Sequence, residues 1–157
     1  MNIDSLTHIL PKEISEEINR FKKLDKKFTE LFDEKTKISQ AEELISEIKK
    51  NNIDKVVVGG FGWSSDEITK IVNEYILDSK NKYDEIIPLC SINLYSKNPE
   101  SELLDYIDKG VKGVGELHLN YDEEIENNKI LINTLQIALE YNLPTIIHGS
   151  EPVGHSY

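Results

Sequence analysis

The chain has 157 residues, 38% of them hydrophobic and 30% charged, with a formal net charge of -11 and one cysteine, Cys90. That length and apolar share suit a single domain, 1–157, with a buried core. The acidity argues against a nucleic-acid or anionic-membrane surface, and a lone cysteine excludes an internal disulfide and points to a reducing cytoplasm. No apolar run approaches the roughly 20 residues of a membrane span, and the polar N-terminus does not read as a signal peptide.

In chain order, Asn2-Ile3-Asp4 reads as a very short strand, followed by a loop through His8 and Pro11. Ile14, Ile18, Phe21 and Leu24 recur at helical spacing and predict one amphipathic helix. Residues 25–38 are charged around Phe28, Leu31 and Phe32, a short helix or packed loop. Ser39 with Glu42 three residues on reads as a capping box opening the next helix, buried through Leu44, Ile45 and Ile48. Lys55 to Gly60 is a continuous β-branched run ending on glycines, the pattern of a parallel strand buried on both faces. Phe61-Gly62-Trp63-Ser64 is a loop, and Ser64 or Ser65 caps a helix to about residue 80.

Glu85–Ile92 predicts a third strand interrupted by Pro88. Asn98 or Ser101 opens the next helix, and Gly110 closes it. Val111–Leu117 is a glycine-rich fourth strand carrying Glu116, and a helix over about 128–141 follows a loop. Pro144 leads into a fifth strand ending on His148. Strands and helices alternate, which implies an α/β fold: a parallel βα repeat of about five strands. The glycine-rich fingerprints of dinucleotide and P-loop sites are absent.

All four histidines fall at or just beyond predicted strand C-termini: His8, His118, His148 and His155, together with Glu116 and Glu151. In a parallel barrel those ends share one mouth. Imidazoles and a carboxylate converging there suit zinc or a similar divalent ion. Beside this reading stand plainer ones. His8 can satisfy loop backbone, Glu116 can pair with a lysine, His118 can be a loop residue, and His155 can be exposed. Trp63 and Phe61 can line a pocket or simply pack, and Cys90 reads as an inert core residue.

Three segments resemble a known family. Ile3-Asp4-Ser5-Leu6-Thr7-His8 is similar to the opening Asp-x-His-x-His motif of the amidohydrolase superfamily. Gly113-Val114-Gly115-Glu116-Leu117-His118 is similar to its fourth-strand segment, and Leu143–His148 to its fifth-strand metal segment. Glu151–His155 is similar to a loop in one branch, the amidohydrolase-related group that includes aminocarboxymuconate-semialdehyde-decarboxylase-like enzymes. The resemblance implies a partial TIM (β/α)8 barrel and a divalent metal, zinc first, held by His8, Glu116 and His148. It also implies catalytic roles for Glu116 and His148, and contacts to a small-molecule substrate from His118, Glu151 and His155, with Trp63 the aromatic candidate for the same pocket. The activity implied is hydrolysis of a C–N or ester bond by metal-activated water, or non-oxidative decarboxylation.

Two departures accompany the resemblance. Leu6 stands where the first histidine of the opening pair is expected, and leucine has no lone pair to donate. The segments expected to carry a sixth-strand histidine and an eighth-strand aspartate do not occur in the sequence, which reaches the fifth-strand segment near its end. A second reading is therefore a non-catalytic half: vestigial, self-associating as a homo-oligomer, or pairing with a complementary chain.

Overall fold

The computed structural model describes residues 1–33, 35–119 and 128–149. The valine run forms β2 (Lys55–Val58), which pairs in parallel with β1 (Ile3–Thr7) on one side and β3 (Ile86–Pro88) on the other. β4 (Val114–Leu117) pairs in parallel with β5 (Thr145–Ile147). The two ladders meet where Cys90 bridges Val114 in parallel, with Lys112 N–H donating to the Pro88 carbonyl and Gly115 N–H to that of Cys90, each at 2.8 Å. The strands therefore lie in the order 1-2-3-4-5, all parallel, as the alternating pattern implies.

The third strand divides at Pro88. Proline has no N–H to donate, and the segment pairs with β2 up to Pro88 and with β4 from Cys90 onward. In β2 Val56 and Val58 are fully buried and Lys55 and Val57 only partly so; in β4 all four residues are buried. Such burial is what continuous apolar strands in a parallel sheet require.

The helices differ from expectation in two places. The apolar spacing from Ile14 to Leu24 predicts one helix, yet the chain forms α1 (Lys12–Glu16) and α2 (Ile18–Leu24), separated at Glu17. Asp25 then turns the chain into α3 (Lys26–Leu31), so Ile14, Phe21 and Phe28 are buried while Leu24 is 41% exposed. The expected Ser39 cap is also displaced. The Ser39 carbonyl accepts from Leu10 N–H, and α4 (Ala41–Lys50) starts after Gln40 without a side-chain cap. The Tyr75 hydroxyl takes the cap's place, accepting from Ala41 N–H at 3.0 Å.

Elsewhere the local signals hold. Ser65 caps α5 (Asp66–Lys82), accepting from Ile68 N–H. Pro99 occupies the first turn of α6 (Pro99–Asp108), where a missing N–H costs nothing. Gly110 follows that helix with φ +94°, the left-handed conformation glycine adopts most readily. Asn128 caps α7 (Lys129–Glu140) through Leu131 N–H.

Two apolar clusters result. One gathers Ile9 and Leu10 after β1, side chains of β2 and β3 and those of helices α1 to α5, including Phe21, Phe28, Val56 and Trp63. The other gathers Cys90, Leu103, Val114, Leu117 and Leu131 beneath α6 and α7. Among the described residues no helix is long and apolar enough to cross a membrane.

Candidate metal centre

Backbone hydrogen bonds draw the strand C-termini together. Gly59 N–H donates to the Thr7 carbonyl at 3.1 Å, Glu116 N–H to Gly60 at 2.9 Å, and His148 N–H to Leu117 at 2.8 Å. Residues from β1, β2, β4 and β5 thus meet at one mouth, although their sequence positions span most of the chain. Glu116 and His118 are two residues apart on extended chain and so share a face.

Glu116 lies at the middle of the group. Its Oε1 is 2.6 Å from His148 Nδ1. Its Oε2 is 3.4 Å from His118 Nε2 and 3.8 Å from His8 Nε2. The His118 and His148 rings stack at 4.3 Å, and the His8 ring stacks on Phe61 at 4.0 Å. One donor atom each from Glu116, His118 and His148 lie within 4.8 Å of one another.

The hydrogen bonds decide which nitrogens carry lone pairs. A carbonyl can only accept, so His8 Nδ1, 2.9 Å from the Gly59 oxygen, is the protonated nitrogen. His8 Nε2 then presents a lone pair toward Glu116 Oε2. Burial pushes the His8 pKa below its ordinary 6.5, against the pull of the Gly59 carbonyl and Glu116, so the neutral ring is favoured. In the same way His148 Nδ1 donates to the Glu116 carboxylate, which leaves Nε2 as the nitrogen of that ring able to carry a lone pair.

Glu116 itself stays ionised. Burial acts to raise its pKa, but His118 and His148 outweigh burial and hold it down at about 2. His118 is 3% exposed, and neither of its ring nitrogens has a hydrogen-bond partner among the described residues. The 3.4 Å approach to Oε2 is at ion-pair distance but out of hydrogen-bond alignment. A buried imidazole without a partner is costly. Here the nearest polar atom is the ionised Oε2, which also lies 3.8 Å from His8 Nε2. Two imidazoles and a carboxylate converging on one point are the donor set of zinc and similar divalent ions, so the residues fit such an ion.

The sequence-derived ligand set, His8, Glu116 and His148, overlaps this group without coinciding with it. His118, expected as a substrate contact, joins Glu116 and His148 in the compact group, while His8 lies at its edge. The two-residue spacing of Glu116 and His118 was the available signal. Trp63, expected at a substrate pocket, is only 1% exposed and packs among Phe28, Phe32 and Phe61. Its large ring is core, because β2 ends beneath the aromatic side chains of α3 and the segment after it. Glu151 and His155 lie outside the described residues. The open side of the group is at His8, whose side chain is 24% exposed against 1% for His118. A cavity of about 510 Å³ adjoins it, lined by His8, Lys37, Ser39 and the acidic face of α4.

No family model matches the chain, and no curated protein matches it. Solved structures do. An amidohydrolase II protein covers 99% of this chain at a TM-score of 0.72 and 15% identity. The 4-oxalomesaconate hydratase of Rhodopseudomonas palustris covers 96% at 0.69 and 17%. A probable 2-pyrone-4,6-dicarboxylic acid hydrolase of Acinetobacter baumannii, with citric acid bound, covers 95% at 0.57 and 15%. This chain spans about half of each, 53%, 53% and 50% respectively. The likeness shows the fold alone: the chain folds like about half of each of these proteins.

Proposed function

We propose, from the amidohydrolase-superfamily fold and the group at its mouth, that the chain carries a divalent-metal centre of a hydrolytic enzyme acting on a small molecule. The observation that supports this most directly is the buried His118 imidazole facing the ionised Oε2 of Glu116. Glu116, His118 and His148 would hold the ion, with His8 Nε2 beside them. Such an ion supplies a Lewis acid and lowers the pKa of a coordinated water to about 7. Glu116 orients His148 through Nδ1 and keeps its negative charge at neutral pH. His8, neutral and nearest the open side, is placed to accept a proton from a group entering past α4. Hydrolysis of a C–N or ester bond is the reading chosen, with zinc as the first ion to test.

The test is metal analysis of purified protein followed by zinc titration of the chelator-treated protein. One equivalent bound, and lost in His148→Ala, supports the centre. A wild type that neither retains nor takes up any divalent ion removes this reading.

A second reading draws on the sheet edges. Among the described residues no strand pairs with the outer side of β1 or of β5; Ile3 is 47% exposed, and on α7 Ile132 and Leu139 are 38% and 78% exposed. Open strand edges and exposed apolar helix faces are pairing surfaces. A homo-oligomer, or a complementary chain, would cover them. Sedimentation velocity decides the first case: a concentration-dependent dimer that Leu139→Glu dissociates supports self-association, and a monomer at all concentrations removes it.

A further inference from the structure

We infer that Gly62, held in place by Asp25, is the seat that positions the His118 ring against Glu116 and His148. This rests on the metal-centre reading for its consequence but on packing alone for its geometry. A Cβ built on Gly62 would lie 2.5 Å from His118 Cβ and 2.6 Å from its Cγ and Cδ2. Those atoms include the root of the side chain, so the histidine cannot swing a flexible tip aside. The space that any other residue would fill at position 62 is the space that His118 occupies.

The segment around Gly62 is fastened from two sides. Asp25, 3% exposed, accepts Ser64 N–H at 2.7 Å and Ser65 N–H at 2.9 Å on Oδ2, and Phe28 N–H at 3.1 Å on Oδ1. Lys27 Nζ donates to the Gly62 carbonyl at 3.2 Å. On the other side Asn93 Nδ2 donates to the Ser64 carbonyl at 2.9 Å. Trp63 anchors the middle in the aromatic cluster. Hydrogen bonds to a buried carboxylate are the strong kind, so the turn between α2 and α3 is tied rigidly to the floor beneath His118. His118 needs such a floor because among the described residues no hydrogen bond orients its nitrogens.

The experiment compares wild type, Gly62→Ala, Asp25→Asn, His118→Ala and the Gly62→Ala/His118→Ala double variant. Imidazole ¹H–¹⁵N spectra of the metal-free proteins are recorded below the melting temperature, and zinc affinity is then measured by competition with a chelator. Gly62→Ala is expected to shift the His118 ring resonances and those of its stacked neighbour His148, and to weaken zinc by about tenfold or more. Asp25→Asn acts from the other end of the connection and should shift the same rings, which keeps the test open if Gly62→Ala fails to fold. The double variant should bind zinc as His118→Ala does, since Gly62 acts only through that ring. Unmoved ring resonances in folded Gly62→Ala and Asp25→Asn, or additive losses in the double variant, overturn the inference. A wild type that binds no zinc overturns the proposed function instead; the ring resonances then decide the positioning role alone.

Discussion

Glu116 Oε1 and His148 Nδ1 lie 2.6 Å apart, although 32 residues separate them in the chain. The contact joins the fourth and fifth strands at their C-terminal ends and commits one nitrogen of His148 to the carboxylate. The other nitrogen is thereby the one left to carry a lone pair, while Oε2 of the same carboxylate faces His118 and His8.

Glu116→Gln keeps the size of the side chain and removes its charge. Zinc affinity, measured by calorimetry, should fall by about 10–100-fold. His148→Ala should abolish stoichiometric binding, whereas His155→Ala should leave it unchanged. Equal affinity in wild type and Glu116→Gln would show that the carboxylate takes no part.

The pH dependence of stability follows from two depressed pKa values. Burial lowers His8 below 6.5, so the unfolded chain binds more protons there. Its contribution is present above about pH 6.5 and declines as the pH falls below that. Glu116, held at about 2 against an ordinary 4.5, contributes fully above 4.5 and loses its contribution as the pH falls toward 2. Thermal melts in chelator should therefore decline in two stages on acidification. His8→Ala should flatten the upper stage and Glu116→Gln the lower.

Trp63 separates packing from substrate contact. Its Nε1 is buried without a partner among the described residues, so Trp63→Phe gives up volume but also removes an unsatisfied donor. Urea denaturation should show a loss of about 1–2 kcal/mol. Phe28→Ala, which opens the middle of the same cluster, should cost about 3–5 kcal/mol.

Cys90 is 0% exposed, and burial pushes its thiol up to about 12. A thiolate-directed reagent should leave the native protein unmodified and label one thiol on denaturation. Rapid labelling under native conditions would show that the second apolar cluster opens.

Much of the fold is written in short stretches. The valines of β2, the serine before α5, Pro99 opening α6 and Gly110 closing it each state a conformation through their own steric and hydrogen-bonding preferences. The βα alternation built from them implies the parallel order, and the histidines mark the strand ends. Where a local signal competes with a distant partner, it loses. The periodicity from Ile14 to Leu24 describes one helix, but the chain breaks at Glu17, and after Leu24 the Asp25 carboxylate caps the next helix, leaving Leu24 at the surface. Ser39 has the spacing of a cap, but its carbonyl is taken by Leu10 and the Tyr75 hydroxyl serves Ala41 instead.

What the sequence by itself determined is the alternation of elements, the parallel sheet and the candidate side chains, because each depends on a window of a few residues. What only the tertiary structure decided is their grouping. His118 rather than His8 stands closest to the Glu116–His148 pair, Trp63 is core, and Gly62 is empty because a ring from the fourth strand fills its space. Each of these is set by a partner dozens of residues away, through a hydrogen bond or a hard-sphere contact that no local pattern carries.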